Sequence, residues 1–216
     1  DWASLTREAG LQVVSLHEDL GTIKADPEAV ARRARDLGTD KVVITGMYRF
    51  DYTSRAAVKG LCADLNEYGE QLRQAGIRLL YHNHNAELCR LTEGGERAYE
   101  YILRSTDPAT VGFEFDSYWF TEAGADAVEW MEKLGNRMRM WHINDRGSRQ
   151  RGPSMTPILK SDSMELGCGN MSLDRLTRQA KANGIQAVVL ESHRNHVNHN
   201  AVESLQRSAA YLNCHF

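Results

Sequence analysis

Short apolar runs alternate along this chain with longer stretches whose apolar positions fall three and four apart. LQVVSLHED after Gly10, KVVITG (41–46), IRLLYH (77–82), VGFEF (111–115), MRMWHI (138–143) and IQAVVL (185–190) predict strands. Their β-branched and aromatic residues fit a pleated surface, and most lack polar alternation, as strands covered on both faces do. Between them the pattern predicts helices. Asp26-Pro27 supplies an N-cap and a first-turn proline for PEAVARRARDLG, which stops near Gly38. Ala57, Leu61, Leu65, Tyr68 and Leu72 mark an amphipathic helix over 54–75, closed by Gly76. Further helices are expected at 96–104, 126–134, 173–183 and 201–212, and Asp1 to Gly10 reads as the end of another. The stretch after Asp19 reads as a loop, and a long loop runs from Asp145 to about Met171.

Strand followed by helix, six times over, predicts a parallel sheet in an α/β fold. A closed barrel of this kind takes eight units and about 250 residues. With 216 residues, the chain is expected to form an incomplete parallel (β/α) barrel whose first two units are lacking. Open edges beside Leu11 to Ser15 and at the far strand then invite pairing, so an upstream segment or a homodimer is expected to cover the gap. Residues 1–216 read as one domain, and 146–171 is expected to act as a lid, since loops beyond about 12–15 residues in compact domains are functional or disordered.

Composition narrows the partners. The chain is 42% hydrophobic and 25% charged, which suits a globular domain with a sizeable core. A net charge of -3 and a pI near 6.3 give no basic footprint for nucleic acid. No apolar run approaches the roughly 18 residues that span a bilayer. The four cysteines, Cys62, Cys89, Cys168 and Cys214, show no CxxC pair and are expected as buried, reduced thiols in the cytoplasm. The chain opens on Asp1 rather than Met, which leaves room for a removed leader.

Four strands stop in residues able to hold a metal: His82 in YHNH, Asp116 in FEFD, His142 in MWH and Glu191 in VVLE. Parallel α/β sheets gather ligands at the carboxyl ends of their strands, which is where these residues fall. Two imidazoles with two carboxylates suit Mn²⁺, Zn²⁺, Co²⁺ or Fe²⁺ better than Mg²⁺, although availability can still place Mg²⁺ there. Side chains alternate along a strand, so His82 and His84 share a face while Asn83 points away. His82, nearer the regular strand, is expected to complete the site in preference to His84 or Glu87.

YHNHNAEL, FEFDSYW, MWHIND, LGCGNMSLD and VVLESH together resemble the xylose isomerase-like TIM-barrel superfamily, in particular its sugar phosphate isomerase/epimerase branch with a YHNHxxEF-type motif. The likeness runs from about Gly10 to the end. It implies that the strands here match the third to eighth of the barrel. It also implies one divalent metal on His82, Asp116, His142 and Glu191. Many relatives carry glutamate where this chain has His82. Ketose epimerases of the family resemble a two-carboxylate device in which glutamates of the fifth and eighth strands exchange a proton across the sugar. Here the first of those roles falls to His82, His84 or Glu87, or is not filled.

The resemblance makes Glu191 the first choice as general base, with Glu87 second, or else a solvated loop carboxylate, and His84 beside them. His17 is expected to touch substrate or to hold a loop, and Trp119 to wall a sugar ring or pack in the core. Asp145 is expected to orient His142. Arg146, Arg149 and Arg194 are expected to grip substrate or to be solvated. His193, His196 and His199 suggest a second metal less readily than a polar turn, and Gly167 and Gly169 resemble a phosphate-cradling loop only weakly. The leading expectation is a metal-dependent sugar or sugar phosphate isomerase/epimerase working through a metal-stabilised enediolate. A dehydratase or lyase on a keto-inositol or 3-oxo-glycoside would use the same site. An AP endonuclease would need more ligands and a basic groove, and a non-catalytic barrel fragment remains the fourth class.

Overall fold

Local capping decides where most elements begin. In the computed structural model, which describes residues 1–92, 94–149 and 160–216, Asp26 accepts the N–H of Ala29 and opens the helix Pro27–Leu37, which Gly38 closes in the left-handed conformation. Ser54 caps Arg55–Gln74 through the N–H of Ala57. Asp19 does the same for a helix at Leu20–Ala25, where the sequence pattern reads as a loop. That helix has six residues, too few for a 3.6-residue period to show. A further short helix, Ser117–Glu122, starts at Asp116.

In chain order the helices are α1 Trp2–Glu8, α2 Leu20–Ala25, α3 Pro27–Leu37, α4 Arg55–Gln74, α5 Ala98–Ser105, α6 Ser117–Glu122, α7 Ala127–Leu134, α8 Leu173–Asn183 and α9 Ala201–His215. The strands are β1 Leu16–Glu18, β2 Lys41–Ile44, β3 Arg78–His82, β4 Val111–Asp116, β5 Met138–Ile143, β6 Asp145–Gly147, β7 Asp162–Met164 and β8 Ala187–Leu190. Six of them form one parallel sheet in the order β1-β2-β3-β4-β5-β8, an incomplete α/β barrel. β6 and β7 pair antiparallel, so the flanks of the long loop are an ordered ribbon rather than bare loop. The expected lid, 146–171, lies partly outside the described residues.

The sheet separates two cores. Its outer face carries Ile44, Tyr81, Phe113, Phe115, Trp141 and Ile143 into the helix layer. Its inner face carries a smaller cluster of Val43, Leu80 and Met140, with Ala187 and Val189 against it. Of the cysteines only Cys62 is buried; Cys89, Cys168 and Cys214 are exposed free thiols, contrary to the expectation of burial.

A register shift between β4 and β5 sets which way the later side chains face. Phe113 pairs with Met138, but the next residue, Glu114, pairs with Met140, so Arg139 is the extra residue of a bulge. Met138 lies in the outer core and Met140 in the inner one. Simple alternation from Met138 would turn His142 outward; the inserted residue turns it inward, opposite Asp116.

Gly112 occupies this inner layer because a side chain there has no room. A Cβ would meet Leu80 Cδ2 at 2.7 Å, Arg139 Cγ at 3.2 Å and the Arg137 carbonyl at 3.3 Å. Gly112→Val should therefore cost about 1–3 kcal/mol by overpacking, read from urea unfolding. An unchanged midpoint would mean that the inner layer is looser than these distances describe.

Candidate metal centre

The carboxyl ends of β3, β4, β5 and β8 bring their terminal side chains to one place. One potential ligand atom from each of His82, Asp116, His142 and Glu191 lies within 4.8 Å of all the others. Each is held by its strand. Asn83, just beyond β3, donates its side-chain N–H to the Asp116 carbonyl and accepts the Asp116 N–H, both at 3.0 Å. A side chain thus continues the sheet where the backbone ladder ends. Asp116 spends Oδ1 capping α6, accepting the Trp119 N–H, and keeps Oδ2 free. The Glu191 N–H bonds to the Ile143 carbonyl, extending the β8–β5 ladder by one residue.

His142 stands at the centre. Its Nδ1 is 3.7 Å from both Asp116 Oδ2 and Glu191 Oε2, and its Nε2 is 3.2 Å from Glu114 Oε2. His82 Nδ1, Asp116 Oδ2, both nitrogens of His142 and Glu191 Oε2 are buried without a hydrogen-bond partner. Orphaned polar atoms are costly. Orphans of this donor type, gathered from four strands, fit a divalent cation as their common partner.

Charges in the cluster shift one another. Burial disfavours the imidazolium of His142, but Asp116, Glu191 and Glu114 outweigh it and push its pKa up to about 10. Burial above all raises Asp116 to about 7, with His142 opposing and Glu191 assisting. Burial also raises Glu191, but His142 and Asp116 prevail and hold it well below the usual carboxylate range. Burial, with His142 next, keeps His82 neutral.

Around the cluster the expected residues sort unevenly. His84 lies 4.9 Å from the His82 ring, centroid to centroid, and burial lowers its pKa. Trp119 packs between His84 at 5.5 Å and His193 at 5.9 Å. Gly46 has φ +90°, and a Cβ there would strike His84 Nδ1 at 2.8 Å. A cavity of about 290 Å³ adjoins His84, lined by 45–50, Tyr52, Ala86 and Glu87. Glu87 is fully buried. One of its oxygens accepts the hydroxyls of Tyr52 and Tyr81, and the other accepts the N–H of His84. It is therefore neither a solvated loop carboxylate nor a member of the cluster.

Other residues expected to orient His142 or to grip substrate bond elsewhere. Asp145 accepts backbone N–H groups from Arg146, Gly167, Gly169 and Met171, so it organises the loop rather than His142. The Gly167 and Gly169 amides cradle this internal carboxylate rather than a phosphate. Arg146 pairs with Glu122, Arg149 with Glu165 and Arg194 with Asp162. His196 and His199 join no ligand cluster among the described residues.

One residue was missed. Glu114 is fully buried on the inner face of β4, two positions before Asp116, and His17 Nε2 reaches its Oε2 at 3.0 Å. The alternation in FEFD carries the signal: Glu114 and Asp116 share a face. Attention to strand ends alone passes over it.

A model of the family described as xylose isomerase-like TIM barrel matches residues 2–213. The inosose dehydratase of Mesomycoplasma hyopneumoniae strain 7448 is 33% identical over 94 residues, 44% of this chain and 30% of that enzyme. That of Clostridium perfringens strain 13 is 31% identical over 87 residues, 40% and 28% of the two chains. The matched stretch thus spans less than a third of these curated relatives. A sugar phosphate isomerase/epimerase structure from Parabacteroides distasonis superposes with a TM-score of 0.82 at 26% identity, covering 98% of this chain and 74% of that one. The IolI protein with a bound zinc atom superposes at 0.72 and 15% identity, covering 100% and 83%, a likeness of fold.

Asp145→Asn should loosen the ribbon, because an amide cannot accept four N–H bonds and its own N–H₂ faces donors. A loss of about 1.5–3 kcal/mol is expected, together with faster hydrogen exchange at Gly167 and Gly169. Unchanged exchange at those amides would remove Asp145 from this role.

Proposed function

The chain belongs to the xylose isomerase-like TIM barrel family, and from that premise we propose that His82, Asp116, His142 and Glu191 hold one divalent cation in a site that dehydrates a keto-sugar or keto-cyclitol. A proton leaves the carbon beside the carbonyl, and the hydroxyl of the next carbon departs as water. Bound there, the cation supplies Lewis acidity to the carbonyl oxygen as negative charge develops.

The observation that carries this reading is the lack of a facing carboxylate pair among the described residues. Proton exchange across both faces of a sugar needs two comparable bases. By the resemblance, the place of the second glutamate falls here on His82, and both oxygens of Glu87 are taken up by Tyr52, Tyr81 and the His84 N–H. The site offers two unlike groups instead, one on each side of Trp119. His84, kept neutral by burial, is free to take a proton. His193 lies with its Nε2 3.2 Å from Glu191 Oε1, and this contact holds it to hand a proton to the departing hydroxyl. Glu191, expected first as the base, is too strongly held in its ionised form by His142 to take a proton readily. Its Oε2 faces the cluster and its Oε1 faces His193, so it serves both. Elimination needs such an asymmetric pair.

The dehydratase names of the curated relatives support this choice. A sugar isomerase/epimerase is the second reading, favoured by the 26% identical structural neighbour. Incubation in D₂O with a keto-inositol, a 3-oxo-glycoside and a ketose separates the two. Dehydration yields an unsaturated product whose carbonyl absorbs in the ultraviolet; epimerisation returns a deuterated epimer. His84→Ala should lower turnover by roughly 10²–10⁴-fold with bound cation unchanged. Turnover surviving in that variant would return the base to Glu191.

Cation binding should release a proton. With His142 raised to about 10, its imidazolium prevails at neutral pH in the cation-free protein, so a cation must displace that proton. Apparent affinity should rise about tenfold per pH unit from about 7 towards about 10 and level off above it. Calorimetry in buffers of different ionisation enthalpy counts the protons; none released near pH of about 8 would refute the assignment of His142.

A further inference from the structure

Beneath the strand-end cluster lies a second group that the proposed reaction does not use. Glu114 is fully buried, and its Oε2 lies 3.0 Å from His17 Nε2, 3.2 Å from His142 Nε2 and 3.5 Å from His82 Nδ1. Even so, neither oxygen of Glu114 and neither nitrogen of His142 has a hydrogen-bond partner. The nitrogens come close, but their ring N–H directions miss the oxygen. Donor atoms that crowd to such distances without pointing at one another are arranged as ligands about a third point. Metal–nitrogen and metal–oxygen bonds of about 2.0–2.2 Å separate neighbouring ligand atoms by roughly this much.

Charge points the same way. Asp116 and Glu191 suffice to balance one dication, and Glu114 is a further buried carboxylate. Its ion-pair partners among the described residues are the three imidazoles, with no lysine or arginine. A buried carboxylate without a hydrogen bond or a fixed cation is costly. The two groups cannot be one site: His142 presents Nδ1 to Asp116 and Glu191 but Nε2 to Glu114, and these nitrogens look out from opposite sides of the ring.

We propose that His17, Glu114 and His142 hold a second divalent cation of the zinc type, with the His142 imidazole bridging it to the cation at the strand ends. Two nitrogens and one oxygen are a three-ligand zinc set that leaves a position for water. His17, with a third of its side chain exposed, opens a path for entry. As a bridge the ring carries no N–H: one imidazolium proton leaves when the strand-end cation takes Nδ1, the other when the second cation takes Nε2, and both pass to solvent. The inference rests on reading the strand ends as a cation site, and the test separates the two.

Zn²⁺ alone is added to metal-stripped protein, excess is removed by desalting, and zinc is counted by elemental analysis beside protein concentration. The expected result is two equivalents for the natural chain, and one each for His17→Ala and Glu114→Gln. Mn²⁺ in place of zinc should show spin coupling by electron paramagnetic resonance in the natural chain, lost in both variants. One equivalent in all three proteins would overturn the second site and leave the first standing; Glu114 would then be an acceptor beneath His142. Two equivalents in all three would also overturn it, by placing the second ion elsewhere. No zinc in the natural chain would overturn both readings. Should Glu114→Gln fail to fold by circular dichroism, the partly exposed His17→Ala decides alone.

Discussion

A strand shows alternate side chains to alternate faces, and in this sheet one face meets helices while the other meets the barrel interior. Everything at the site therefore depends on parity, and parity along β5 is broken once. Arg139 is the residue that Glu114 and Phe113 leave unmatched, and by taking up one step it sends Met138 outward and Met140 and His142 inward. Trp141, between them, then falls into the outer core, where its indole N–H bonds to Ser117 Oγ at the start of α6. The same shift that brings His142 opposite Asp116 also anchors the helix that Asp116 caps. Packing and ligand geometry are two results of one insertion.

This coupling explains why Asp116 can sit fully buried without a cationic side chain of lysine or arginine. One oxygen is satisfied by the α6 backbone, and its own N–H and carbonyl are tied to Asn83. Only Oδ2 is left over. Glu87 is treated in the opposite way. Two phenols and the His84 N–H take up both of its oxygens, so its charge is spent on fixing the loop after β3. Of two carboxylates near the same strand ends, one is left with an open valence and one is closed. The accounting of hydrogen bonds, rather than proximity, tells them apart.

The strand-and-helix order was legible because buried parallel strands and amphipathic helices carry different periods, and Lys41–Ile44, Met138–Ile143 and Leu173–Asn183 show theirs cleanly. α2 and α6 were not, being set by single caps, Asp19 and Asp116, on segments too short to repeat. His82, Asp116, His142 and Glu191 stood out in the sequence because strand ends are where ligands collect, and the structure brings the four together. Glu114 was overlooked because it lies inside a strand, where a glutamate looks out of place and only alternation reveals its face. Asp145 was misjudged for the reverse reason: its place in HIND, beside His142, suggested a partner for the imidazole. Its true partners, the amides of Gly167, Gly169 and Met171, lie more than twenty residues away, a distance no local pattern spans.

The neutral His82, at a position where the resemblance implies glutamate in many relatives, bears on more than one ligand. A glutamate there would add a negative charge to a cluster in which Glu114, Asp116 and Glu191 already crowd three imidazoles. With histidine, burial keeps the position neutral, and the lower ring of the site can afford the carboxylate of Glu114. The two residues make sense together: a neutral ligand at His82 accommodates a charged one at Glu114. The further carboxylate, Glu114, lies one layer deeper than the strand ends and is fully buried. That placement of charge in the interior rather than at the strand end is the physical ground on which elimination, with its single proton acceptor, is proposed over exchange between two.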